Sequence, residues 1–262
     1  KKRGAYEKAI DYFEKSYELE KLRNNLANQA SCQLNIGAMY LYLGRNNEAR
    51  APLQKSQEIS LTIGDTSTAQ SCINNIALIY QSEGNYTKAL QTLDTSFLYV
   101  DTPDDTAYIF GDKANIYQEM GNTALAIRYY KKAQEAFDQL GLQLEKGQVL
   151  IDIGTLFKNE GHYDRSLKLY KEAESIFKSA QNTNYLASVK LNQGQLFDEQ
   201  KMEDSAVLYL NEALALAEEV ENIGLLGKIH IALGEGAQKN NFYEEAVLNF
   251  EKALLYFKQS ND

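Results

Sequence analysis

Gly84-Asn85-Tyr86-Thr87-Lys88-Ala89 is the stretch from which the fold can be read. A glycine, a tyrosine two places on and a small residue five places on recur at Gly4-Ala5-Tyr6 to Ala9 and, with serine last, at Gly161-His162-Tyr163 to Ser166. Weaker copies are anchored at Gly44, Gly121, Lys201 and Asn241, so successive anchors lie 40, 40, 37, 40, 40 and 40 residues apart. A near-constant period of this kind means stacked supersecondary units that each touch mainly their neighbours.

The flanks of each anchor carry their own pattern. Four places upstream stands an aromatic residue, Tyr40, Tyr80, Tyr117, Phe157 or Phe197, with Ala237 in the last copy. Seven places upstream the residue is always small: Gly37, Ala77, Ala114, Gly154, Gly194 and Gly234. Downstream, a large residue follows at the ninth place (Phe13, Leu53, Leu93, Tyr130, Tyr170, Leu210, Phe250) and a small one at the twelfth (Ser16, Ser56, Ser96, Ala133, Ala173, Ala213, Ala253). These offsets follow helical periodicity on both sides of the anchor. Glycine burdens a helix interior unless something must come close, so small residues on both helices predict a tightly packed antiparallel pair. The pattern predicts a lone second helix over about residues 4–23. Six pairs follow, over about 24–63, 64–101, 102–140, 141–180, 181–220 and 221–262, for thirteen helices in a single array.

This order of small, aromatic, turn glycine, tyrosine, alanine and large residue resembles the tetratricopeptide repeat (TPR) family over essentially the whole chain. The resemblance implies an all-α fold, a right-handed α-solenoid of about 6.5 units whose first helices line a concave groove. The chain departs in its period, since the commonest family unit has 34 residues, and in lacking the proline that usually closes the unit. The extra residues are expected around Ile63-Gly64-Asp65, Leu140-Gly141 and Asn222-Ile223-Gly224, lengthening both helices. Similar long units occur in spindle-orientation adaptors that bind Gα proteins and in Gram-positive peptide-pheromone receptors. They also occur in bacterial regulators joined to a histidine kinase or DNA-binding domain.

Composition narrows the function. With 27 basic and 36 acidic residues the net charge is −9, which argues against nucleic-acid binding and anionic membrane surfaces. No apolar run approaches the roughly 20 residues that span a bilayer. The cytoplasm is favoured, with the periplasm as the alternative if a longer protein is a membrane sensor. A chain starting at Lys1 inside a repeat is expected to be an excerpt of a longer one. Arginine occurs only at positions 3, 23, 45, 50, 128 and 165, a bias that suits an AT-rich bacterial genome. Cys32 and Cys72 occupy equivalent repeat positions and are expected to be reduced and buried. His162 and His230, 68 residues apart, offer no zinc spacing. Gly234-Glu235-Gly236 lies inside a first helix with no preceding strand, so it is not a phosphate loop. Asn85-Tyr86-Thr87 matches a glycosylation pattern but suits helix capping better. Neither a cofactor nor a catalytic group is expected in this region.

The binding candidates lie nine places before each anchor: Asn35, Asn75, Asp112, Asp152 and Asn192, then Ala232. Asparagine is a mediocre helix former, so its repetition suggests a task for the amide. An amide both donates and accepts, and the resemblance implies that this position reads an extended peptide backbone. The competing reading is that these residues bond the neighbouring helix and stabilise stacking. On the same face Asn115, Lys158, Gln195, Asp198 and Glu235 complete the candidate site. Its middle is acidic and lacks paired basic residues for a carboxylate clamp, which favours a basic or amphipathic segment of a protein or peptide. The leading expectation is the sensory or scaffolding region of a bacterial regulator. The alternatives are the regulatory array of an enzyme, such as a histidine kinase or pheromone-controlled phosphatase, and a structural self-assembly module. Phe250, Leu254, Leu255 and Phe257 on the last helix predict either a following capping helix or self-association.

Overall fold

The computed structural model describes residues 2–100 and 102–261. They form thirteen α-helices: α1 (Lys2–Leu22), α2 (Leu26–Tyr42), α3 (Asn46–Ile63), α4 (Thr66–Ser82), α5 (Tyr86–Ser96), α6 (Pro103–Glu119) and α7 (Thr123–Gln139), then α8 (Gln143–Asn159), α9 (Tyr163–Ser179), α10 (Thr183–Glu199), α11 (Glu203–Glu219), α12 (Ile223–Lys239) and α13 (Tyr243–Asn261). A single 3-10 turn, Phe97–Tyr99, follows α5. Two compact units can be distinguished, residues 1–136 and 137–262. In the first, α1 to α6 pack in sequence, each against the next; in the second, α8 to α13 do the same.

The anchor residue is where one helix stops. Gly44, Gly84, Gly121 and Gly161 have φ between 70° and 78°, the left-handed region where only glycine is free of Cβ strain. The degraded anchors keep this geometry, with φ of 59° at Lys201 and 61° at Asn241. The turn closes on the upstream aromatic: the N–H after each anchor donates to the carbonyl of Tyr80, Tyr117 or Phe157 at 2.8 Å. This is the Schellman closure of a helix C-terminus. From α6 to α12 every helix has 17 residues, and two such helices with two three-residue turns make the 40-residue period. The residues beyond the common unit length therefore sit in the helices. The short 37-residue step comes from α5, which stops after 11 residues. Pro103 opens α6. Its fixed φ suits the first helical position, and Asp105 closes the start of the helix by accepting from the Thr102 backbone N–H at 3.2 Å and from the Thr102 hydroxyl at 2.7 Å.

Within each pair the small residue seven places before the turn receives the large residue nine places after it. A Cβ on Gly154 would lie 2.6 Å from Cε1 of Tyr170, and one on Gly194 2.7 Å from Cγ of Leu210. A second contact of the same kind lies a helical turn or two further out, Gly147 under the ring of Phe177 and Gly227 under that of Phe257. Tyr170, Phe177 and Leu53 are fully buried as a result. Both cysteines are buried and free, and Cys32 Sγ lies 3.4 Å from Ser16 Oγ. Burial raises the thiol of Cys72 to about 11, which leaves it protonated at neutral pH.

Replacing Gly154 with Leu forces a branched side chain into Tyr170 and is expected to cost roughly 1 to 3 kcal/mol or more. Gly111 in α6 has no atom within 4 Å of an added Cβ, so Gly111→Ala is expected to be stabilising by roughly 0.5 to 1 kcal/mol. Urea unfolding of the two variants checks both signs; a neutral Gly154→Leu refutes the packing of α8 on α9 through this contact.

Candidate peptide-binding groove

First helices are neighbours of one another within each unit: α2 touches α4 in the first, and α10 touches both α8 and α12 in the second. The candidate residues divide between the two units. Asn35, Asn75, Asp112 and Asn115 lie on α2, α4 and α6; Asp152, Lys158, Asn192, Gln195, Asp198 and Glu235 lie on α8, α10 and α12.

Asn35, Asn75, Asp112, Asp152 and Asn192 are all half-buried. Among the described residues, none of the three asparagines bonds to a neighbouring helix. Asn192 donates to its own helix at the Ser188 carbonyl, 2.9 Å away, while Asn35 and Asn75 make no side-chain hydrogen bond among the described residues. Stacking is served by other positions: Asn74 accepts from the Ser96 hydroxyl at 2.8 Å, and Ser56 donates to the Ala30 carbonyl at 2.7 Å. Asn115 accepts from the hydroxyl of Tyr130, which ties it to α7.

The charged candidates differ among themselves. Asp112 and Asp152 have no cationic partner among the described residues, and removal from water raises both carboxyls to about 6, against a 3.4 Å hydrogen bond from Gln148 in the case of Asp152. Lys158 on α8 is buried and paired with Glu199 on α10 at 3.1 Å. Asp198 on α10 is paired with Lys239 on α12, which raises the lysine's affinity for its proton. In the first unit Gln81 on α4 donates to Glu119 on α6 at 2.8 Å. These three links join residues separated by one repeat plus one position, 158 to 199, 198 to 239 and 81 to 119. That spacing was the available signal for them. The acidic middle is thus partly neutralised: Asp198 and Glu199 are paired, whereas Asp112, Asp152 and the exposed Glu235 are not, among the described residues. Near the turn end of the first unit, Leu41, Leu78, Gln81 and Glu119 line a shallow recess of about 320 Å³.

The remaining singled-out residues have structural roles. Asn85 caps α5, accepting from the Lys88 N–H at 3.3 Å, and Gly234 lies inside α12 against the ring of Phe250. His162 is exposed in a turn with its ring edge on Phe157, and His230 is 4% exposed and hydrogen-bonded to Asn249. Among the described residues no helix is long and apolar enough to cross a membrane.

A family model described as tetratricopeptide repeat matches residues 1–61, 65–139 and 105–179, well over half the sequence. The chain belongs to the tetratricopeptide repeat family. The TPR arrangement continues past the matched residues, since α10 to α13 keep the same pairing. No curated protein matches the chain. Among solved structures, the apo form of the quorum sensor NprR from B. thuringiensis is similar at a TM-score of 0.80 and 19% identity, over 97% of this chain and 72% of that one. A Rap protein complexed with Competence and Sporulation Factor is similar at a TM-score of 0.72 and 17% identity, over 98% and 72%. BtubC from P. vanneervenii is similar at a TM-score of 0.68 and 20% identity, over 81% and 91%. At these identities the likeness establishes the fold, and the chain is by family a protein- or peptide-binding TPR module.

The two unpaired carboxyls give a pH dependence of definite sign. Each holds its proton more tightly folded, at about 6, than unfolded, at 3.8. Their contribution to stability is therefore full below about 4 and lost as the pH rises through about 6. Glu174 does not blur this window: against its burial, hydrogen bonds from Lys178, Gln193 and Lys190 hold it down at about 2. The double variant Asp112→Asn, Asp152→Asn is expected to melt higher than the parent at about pH 7.5 and to show a smaller Tm gain on acidification to about pH 5.5. Calorimetry at the two pH values checks both.

Proposed function

We propose that the first-helix faces of this TPR module hold extended peptide, with Asn35 and Asn75 in the first unit, and Asn192 within the second, hydrogen-bonding peptide backbone. The observation that carries this reading is that Asn35 and Asn75 are half-buried, lie on adjoining helices and commit neither donor nor acceptor to another described residue. Amides that reach solvent and are not committed to the fold can exchange water for a peptide group. Asn115, Gln195 and Glu235 flank the ladder, and Lys158 and Asp198 act by keeping adjacent first helices in register through their ion pairs. Asp112 and Asp152, without cations of their own, favour a basic segment. In this reading the chain is the sensing region of a bacterial regulator. A quorum sensor and a Rap protein bound to Competence and Sporulation Factor share its fold, which supports that role.

An array of random decapeptides provides the probe. The protein is expected to retain basic peptides preferentially. Asn75→Ala with Asn192→Ala should weaken the retained peptides by roughly fivefold per lost hydrogen bond, with Tm nearly unchanged. A fall in Tm with unchanged affinity would establish the stacking reading instead.

A further inference from the structure

The last repeat departs from the others where bulk is otherwise kept. Five places before the turn the residue is Met39, Ile79, Ile116, Leu156 and Leu196 in successive repeats, but Gly236 in the last. Four places before it, the aromatic series ends in Ala237. In the repeat before, Phe197 stacks on Tyr209 at 5.1 Å, and two repeats earlier Tyr117 stacks on Tyr129 at 5.3 Å. The place of Tyr209 is taken in the last repeat by Asn249, and that of Lys190, which lies over the Tyr209 ring at 4.7 Å, by His230. Three large side chains are thus missing from one spot, and a cavity of about 620 Å³ opens there between α11 and α13, within the range of small-molecule sites.

Its chemistry is defined by what lines it. Leu210, Leu214, Leu233 and Leu248 supply apolar walls. At the bottom His230 and Asn249, 4% and 7% exposed, are hydrogen-bonded at 2.8 Å. Asn249 donates its amide to the Glu245 carbonyl at 3.0 Å, so its oxygen must face the imidazole. Nδ1 of His230 then donates to Asn249, and Nε2 of the same ring is engaged by no other described residue. At the mouth, Glu203, Asp204 and Glu245 are without ion pairs among the described residues and face a single lysine, Lys252. On α12 the lining residues 230, 233 and 237 occupy the stripe opposite the one that carries 228, 231 and 235, and of the ladder-face candidates Asp198 alone borders the cavity.

We propose that the cavity is a binding site for a small phenolic amine. The ring takes the space that the Phe197 and Tyr209 rings fill one repeat earlier. Its hydroxyl donates to His230 Nε2, and its ammonium group meets the carboxylates at the mouth. All three requirements come from separate observations: stacked aromatics in the equivalent place, an imidazole nitrogen that no other described residue engages, and an excess of negative charge among the lining residues.

Tyramine is the probe, followed by calorimetry and by amide chemical shifts of the 262-residue chain. It is expected to bind and to shift resonances of α12 and α13. Phenethylamine, which lacks the hydroxyl, and 4-ethylphenol, which lacks the ammonium group, should each bind roughly fivefold more weakly or worse. Ala237→Phe with Asn249→Tyr rebuilds the preceding repeat's pair; it should abolish binding while keeping or raising Tm. The Asn75→Ala, Asn192→Ala variant should bind tyramine as the parent does, which separates this site from the ladder. Absence of tyramine binding at millimolar concentration, equal binding of all three compounds, or undiminished binding by the refilled variant overturns the proposal. So does a dimer of the parent that the refilled variant loses, because a second copy would then be the occupant.

Discussion

The close approach of two helices at a glycine or alanine is what the rest of the structure depends on. At Gly154 and Gly194 the partner side chain already occupies the volume a Cβ would need, so helix separation is set by a missing methyl group. That separation lets Tyr170 and Leu210 be buried almost completely. A fully buried large side chain is worth about 1.5 to 3 kcal/mol, more than the roughly 1 kcal/mol that glycine costs inside a helix. The same exchange is repeated at Gly37 with Leu53, whereas Phe250 opposite Gly234 stays half-buried; an alanine stands at this position where the large residue is Leu93 or Tyr130.

Because the contact is set by residue size at fixed offsets, it is legible in the sequence. Helix number, turn positions and the small-on-large pairing all follow from a period and a few distances along it. That period does not place Pro103: a proline looks alike in a turn and at the first position of a helix, and only the capping of α6 by Thr102 and Asp105 separates the two. The side chains of the ladder face are harder to assign. Whether Asp198 is a free acid or half of an ion pair depends on the register between adjacent first helices, which the offset within one repeat does not contain. Desolvation of Asp112 and Asp152 is likewise a property of what stacks above and below them, not of their own helix.

The ion pairs bear on how such a face can be both polar and firm. Lys158 is buried, so its charge is tolerable only beside Glu199, and Lys190 sits in the same way between Glu174 and Glu212, at 3.0 and 2.7 Å. Breaking one partner of a buried pair costs more than the pair itself contributes, which makes each link a fastening between successive helices. The face can then carry unmatched amides at Asn35 and Asn75 without losing its register, since neither is needed to hold it.

The last repeat tests the same logic by exception. A core that loses Leu, Phe and Tyr equivalents at one place should collapse or be destabilised by the void, at several kcal/mol for each large-to-small change. Collapse is resisted by Gly227 and Gly234, which still hold Phe257 and Phe250 in close contact on either side and so fix α13 at the usual distance from α12. The void is also lined by a satisfied His230 and Asn249 bond, with polar side chains at the mouth, which lowers the cost of leaving it open to water. The small-on-large contact that builds every other repeat is therefore also what keeps this one from closing.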